Sequence, residues 1–214
     1  MPILSSLNDP FTFLTFVISL LFALSVHEAA HAWTSNQLGD PTAKFAGRLT
    51  LNPLAHLDPI GTLMLLFFGF GWGKPVPVDE FNLDNPHRDV ALISLGGPAA
   101  NFLSASIVSF LFWLTLQLGI DNLIINRLSL EIIQLNIILG IFNLLPIYPL
   151  DGGKILVGLL PASAAQDIDR FLRQYGIFLL IVFFLPIFTG RSLANLTIAP
   201  LATLVINKLL FWLI

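Results

Sequence analysis

The amino-acid sequence predicts an all-α polytopic membrane protein: about five spanning helices, with a re-entrant hairpin or strand-like segment between the first two. Two observations carry this. The first is composition: of 214 residues, 56% are hydrophobic and 11% charged, and the mean hydropathy is +0.84. Soluble domains carry roughly 25% charged residues, so this chain has too few charges to cover a surface facing water. The second is segmentation. Apolar stretches of spanning length alternate with shorter polar stretches rich in Pro, Gly and Asp. No internal repeat breaks the pattern. The chain reads as one transmembrane domain over 1–214, with a core of about 9–160 and additional helices over about 171–214.

The elements follow in order. Phe11 to Val26 is apolar apart from a few Ser and Thr. With Asn8 or Asp9 as cap, the helix is expected over about 9–37, stopping at Gly39, Asp40 and Pro41. No Lys or Arg precedes Lys44, so the stretch reads as a retained helix rather than a signal peptide. Residues 40–59 are polar and turn-rich. Ile60 to Phe70 is apolar but shorter than the roughly 20 residues a crossing needs, and Gly69, Gly71 and Gly73 interrupt it. A re-entrant hairpin and a short helix both fit. Lys74 to Val78, KPVPV, alternates Val with Pro, which suits an extended edge and excludes a helix. Backbone of that kind at membrane depth must be buried in protein or line a cavity, and it is expected over the functional site. Val90 to Leu118 is the second span, opening on the small-residue run SLGGPAANF. A polar loop over 119–130 leads to a third span from Glu131 to Leu145, broken by Pro146 and Pro149. Phe171 to Phe188 and Leu193 to Leu213 are the last two.

Charge sets the orientation. Five alternating spans put Lys44, Arg48, Lys74, Arg88, Lys154, Arg170 and Arg173 on one side, against Arg127 and Arg191 on the other, with Lys208 snorkelling to the first. Positive residues favour the cytoplasm. The N-terminus is therefore expected outside a cell membrane, and the end of the first helix, the hairpin and the Asp151 loop inside. A net charge of −3 without a Lys/Arg-rich run excludes nucleic acid as a partner. The absence of cysteine excludes disulfides and thiolate metal sites, so a transition-metal site must draw on His, Asp, Glu and backbone.

Residues 27–31 read HEAAH. His27 and His31, at i and i+4, share one helix face a turn apart, the spacing that lets two imidazoles hold one zinc ion. Glu28 follows the first of them and suits a general base acting on water. In a soluble chain one HExxH match often arises by chance. Here it follows sixteen residues of apolar helix, where unpaired ionisable groups cost several kcal/mol. A catalytic zinc needs three protein ligands and an open position. Asp151, in PLDGGK after the third span, returns to the side on which the first helix ends. It fits as that ligand; it fits equally as the N-cap of a helix from Gly152. The fold is thus read as helices around a buried metal site. His56, in NPLAHLDP, is either a fourth contact or an interfacial turn histidine, and His87 sits in a polar loop.

HEAAH at 27–31 together with NLLPIYPLDGGKIL at 143–156 resembles the site-2 protease family of intramembrane zinc metalloproteases. GGPAAN, ending in Asn101, resembles that family's Gly-x-x-x-Asn element, and KPVPV its strand-like segment. The resemblance covers about residues 20–160, and the pairing of the two separated motifs is specific. It implies His27, His31 and Asp151 as ligands of one Zn2+, Glu28 as catalytic base and acid, and Asn101 and Asn143 flanking the site as donors to substrate or oxyanion. Both asparagines also suit plain hydrogen bonding between helices. The implied partner is a transmembrane protein substrate within the lipid bilayer. The chain departs from the family in leaving no room for a PDZ-like domain and in carrying HExxH on its first span. A metal-ion transporter or metal-binding membrane protein would also place His and acid within helices. It would need ligands along a path from both faces, whereas here they gather on one side.

Overall fold

A computed structural model describes residues 9–68, 71–186 and 191–210. These form eight α-helices and two short 3-10 turns, with no named strand among the described residues. The ends of the last two expected spans, Phe188 and Leu213, lie outside the described residues, as do Gly69 and Phe70.

Helix α1, Pro10–Gln37, begins where the sequence puts it. Asp9 accepts from the Phe11 N–H at 3.1 Å, and Pro10 supplies a first residue that needs no partner for its nitrogen. The helix stops at Leu38 and Gly39, whose φ of 103° favours glycine. Asp40 then ties the turn down. Its carboxylate accepts from Ser35 Oγ at 2.9 Å, Thr42 N at 3.0 Å, Asp79 N at 2.9 Å and Asn82 Nδ2 at 3.0 Å. Burial raises its pKa, but these donors outweigh it and hold the carboxyl at about 2. After α2, Thr42–Phe45, the chain reaches α3, Pro59–Phe68. Ten residues of helix rise about 15 Å, half a membrane core. The chain comes back beside its starting point: Leu57 and Gly73 form an antiparallel bridge, and Lys74 N donates to His56 O at 2.8 Å. Gly61 and Gly71 allow this close return, since a Cβ on either would overlap the backbone opposite.

Helices α4, Pro86–Gln117, and α5, Leu123–Asn143, complete the core with α1. All three are long and apolar enough to cross a membrane. Helix α4 starts four residues before the expected Val90, because Pro86 suits the first turn and the Asp89 carboxylate reaches back to the Asn85 N–H at 2.9 Å. Helix α5 starts at Leu123 rather than Glu131, which corrects the loop expected over 119–130. Asn122 caps it by accepting from Ile124 N and Ile125 N, and its polar first turns pack on α1, with Arg127 donating to Thr12 Oγ1 at 2.7 Å. Contacts along the helices fix their directions. His31 meets Ile93 and His27 meets Asn101, so α1 and α4 are antiparallel; Thr12 meets Arg127 and Thr15 meets Glu131, so α5 runs beside α1 in the same sense.

Helix α6, Asp151–Leu159, leads to α7, Ala162–Phe184, and α8, Leu193–Leu209. The sequence reading put a crossing over 171–188, and α7 is not among the helices long and apolar enough to cross among the described residues. It carries Asp167, Asp169, Arg170 and Arg173 in its first half. Asp169 accepts from Tyr148 OH at 2.7 Å, and Phe184 packs on Phe142 with ring centroids 5.9 Å apart. Both halves of α7 therefore stay beside residues 142–148, at the end of α5 that carries Asn143. Helix α8 packs Ala202 into a buried cluster with Ala105, Ile133 and Ile137, and Ser109 Oγ donates to Leu209 O at 2.8 Å. It runs in the direction of α4.

Candidate metal centre

His27 and His31 project from the buried face of α1, 4% and 7% exposed. Each imidazole has a partner at Nδ1: Asn101 Oδ1 at 2.6 Å for His27 and the Ile93 carbonyl at 2.7 Å for His31. Both partners accept, so each Nδ1 carries the proton and each Nε2 is left with a lone pair. The two Nε2 atoms lie 3.0 Å apart, and Asp151 Oδ2 lies 3.1 Å from one and 3.2 Å from the other. Three atoms able to ligate a metal thus converge, each imidazole turned so that in its neutral form Nε2 offers a lone pair to the shared space. Zinc with bonds of about 2.0–2.1 Å in a tetrahedron sets its ligand atoms about 3.3 Å apart. The donor set and its spacing fit such an ion.

Local sequence explains the convergence. Asp151 is the first residue of α6, not the cap of a helix from Gly152. A Cβ at Gly152 would overlap the carbonyls of Leu144 and Leu145, and one at Gly153 would overlap the Tyr148 ring. The two glycines let the first turn of α6 nest in the loop after α5, which turns the carboxylate toward α1. Gly97 does the same on α4: a Cβ there would come within 2.5 Å of His31 Nε2 and 2.6 Å of His27 Cε1.

Asn101 is fully buried, and all its hydrogen-bonding capacity in view is engaged. Its oxygen faces His27, while Nδ2 donates to Ala23 O at 3.0 Å and to Asn136 Oδ1 at 2.8 Å. Both of its N–H groups are thus engaged within the protein. Asn143 is half-buried on the wall of a cavity, its Nδ2 donating back to Leu139 O at 3.1 Å. His56 is buried away from the cluster, with Nε2 toward Thr50 O at 2.8 Å and Nδ1 toward Arg48 Nη2 at 3.4 Å. It is a turn histidine with a structural task. His87 is exposed at the start of α4. Sequence reasoning passed over Asn136 and Arg48. The signal for Asn136 was available: a polar residue in the middle of an apolar span needs a partner.

The cavity measures about 670 Å³ and joins the cluster to an apolar trough. Phe13, Phe16, Leu20 and Leu24 line it, at helical spacing with His27, Glu28 and His31, so one stripe of α1 forms a whole wall. The roof is the return from α3, with Trp72, Pro75, Val76 and Val78. Glu28 borders the same space beside the three acceptors.

A helix-borne HExxH pair that meets a distant aspartate among apolar helices defines a class, the metallopeptidases that work within membranes. The profile of peptidase family M50 matches residues 120–186. The chain is 40% identical over 173 residues to the "Putative zinc metalloprotease YwhC" of Bacillus subtilis, covering 78% of each chain. It is 30% identical over 181 residues to Rip2 of Mycolicibacterium smegmatis, named in the same way, covering 79% of this chain and 66% of that one. No solved structure matches. The chain belongs to peptidase family M50, the site-2 proteases, and is an integral membrane protein.

Proposed function

We propose that the chain hydrolyses peptide bonds in or beside transmembrane segments of other membrane proteins, with one Zn2+ held by His27 Nε2, His31 Nε2 and Asp151 Oδ2. The observation that carries this is the convergence of the three ligand atoms at 3.0–3.2 Å, opening on an apolar trough that Glu28 also borders. Zinc, when bound, supplies a Lewis acid that brings the pKa of water to about 7. Glu28 takes a proton from the attacking water and delivers it to the leaving amine as the C–N bond breaks. Asn101, backed by Asn136, holds the His27 tautomer. Asn143 contacts the substrate from the cavity wall.

A membrane helix hides its carbonyls in its own hydrogen bonds, so it must unwind before it is cut. The KPVPV segment would receive the unwound chain by strand addition. In an extended chain the N–H and C=O groups of Val76 and Val78 share one edge, and Pro75 and Pro77 face the other, where their missing N–H costs nothing. The α3 excursion is read as re-entrant, since its ends are paired. The crossings are read as α1, α4, α5 and α8, with α7 lying at the depth of the site. The site faces the cytoplasm of a cell membrane and the start of α1 lies outside.

The test replaces Glu28 with Gln and follows zinc content and cleavage of a single-span test protein. Zinc should stay at one per chain while cleavage falls by on the order of 10²–10⁴-fold. Unchanged cleavage would sink the mechanism, and zinc flux into proteoliposomes persisting in the variant would favour a transporter.

A further inference from the structure

Arg48 lies in the turn after α2 and is 3% exposed. A guanidinium keeps its charge under all ordinary conditions, so a buried one needs compensation from every side. At Nη1 and Nη2 Arg48 has it from several parts of the chain, while its Nε is buried without a partner. Nη1 donates to Pro75 O at 3.0 Å, and Nη2 donates to Lys74 O. Nη2 also faces His56 Nδ1 at 3.4 Å, an acceptor because His56 Nε2 donates to Thr50 O. Glu28 Oε2 lies 4.0 Å from the same Nη2.

These contacts join two parts of the proposed reaction. One is the roof segment, where Val76 and Val78 would pair with an unwound substrate. The other is the carboxylate that would activate water. The roof is anchored at its far end too, by Asp79 N on Asp40, which leaves residues 76–78 suspended between Arg48 and Asp40. Arg48 approaches from behind the roof, since Pro75 lines the cavity and Arg48 does not. A planar fork suits two neighbouring carbonyls, whereas a lysine ammonium would supply the charge without the fork.

We propose that Arg48 is a positioning residue that sets the register of the roof segment against Glu28, and so selects which substrate bond is cut. This rests on the proteolytic reading above. A strand slipped by one residue presents its other face, so a loosened roof would offer neighbouring bonds to the same base. The test uses the full chain, the Arg48→Met and Arg48→Lys variants, and a single-span test protein that the wild type cuts. Product ends are mapped by mass spectrometry beside kcat, KM and zinc content. In Arg48→Met, kcat/KM should fall by about 10- to 100-fold, as misplacement on the scale of 1 Å does. Zinc content should stay at the wild-type level, and cuts should spread to adjacent bonds. Arg48→Lys should recover part of the rate while its products stay mixed. If Arg48→Met fails to fold, the product spread of Arg48→Lys alone decides. A single wild-type bond in the products, at any rate, overturns the proposal, as does loss of zinc from a folded variant. If Glu28→Gln cleaves as the wild type does, the proteolytic reading itself has failed, whatever Arg48 does.

Discussion

His27 owes its orientation to one oxygen, Asn101 Oδ1 at 2.6 Å. Removing it with Asn101→Ala frees the ring to turn and removes the bond that fixes its tautomer. Partners of this kind are worth about 10- to 100-fold in metal affinity, so zinc affinity, measured by competition with a chelator, should fall by that factor. An unchanged affinity would remove Asn101 from the site. Gly97→Ala acts on the same rings by crowding, since its Cβ would sit 2.5–2.6 Å from both imidazoles. The purified variant should carry less than one zinc per chain, and a full complement of zinc would show that the rings can give way. The trio was legible in the sequence because its spacing is itself chemistry: i and i+4 on a helix, and an aspartate where prolines and glycines free the backbone. Asn136 and Arg48 were not, because their importance lies in contacts across 35 and 20 positions of chain, to Asn101 and Glu28, that no local pattern encodes.

At the scale of elements, boundaries were legible where the cap is local. Asp9 and Gly39 frame α1 as expected. They were obscured where polar residues that suggest a loop instead pack on a neighbouring helix, as Arg127 does at the start of α5. The Asp40 knot joins α1 to the 79–82 turn through such long-range bonds, and it has a pH signature. The folded pKa of about 2 lies below the unfolded value of about 3.9. The carboxylate therefore stabilises the fold at all pH values above about 4, and that contribution fades as pH falls through about 2. Asp40→Asn should melt at a lower temperature than the wild type at pH 7 in detergent, and the gap should narrow as pH falls from 4 toward 2. A gap that is constant across that range would show that the carboxylate's charge is not what matters.

For the molecule as a whole, the sequence showed a membrane protein plainly, and the five crossings expected from it and the four proposed above differ at α7. Apolar stretches over 171–188 and 193–213 suggested two crossings, but α7 carries four charged residues in its first half, and packing bears on how deep each helix runs. Phe184 of α7 rests on Phe142, at the end of α5 near Asp151, whereas α5 begins at Asn122 on the far end. Helix α8 carries Ala202 level with Ala105 and Leu209 level with Ser109, rising alongside α4. On this arrangement Arg191 joins the side of the site and Lys208 leaves it. Lys44, Arg48, Lys74, Arg88, Lys154, Arg170, Arg173 and Arg191 then stand against Arg127 and Lys208, the same eight-to-two bias toward the cytoplasm that five alternating spans give, so charge alone does not separate the two arrangements. The chain has no cysteine, so single cysteines report sidedness directly. Asp121→Cys should react with a membrane-impermeant thiol reagent added outside sealed vesicles, and Lys44→Cys only after they are opened. Asn207→Cys, exposed near the end of α8, separates the two arrangements. With α1, α4, α5 and α8 crossing, it labels from outside together with Asp121→Cys. If it labels only with Lys44→Cys, α7 crosses the membrane after all, and the cluster around Ala202 forms on a helix running the other way.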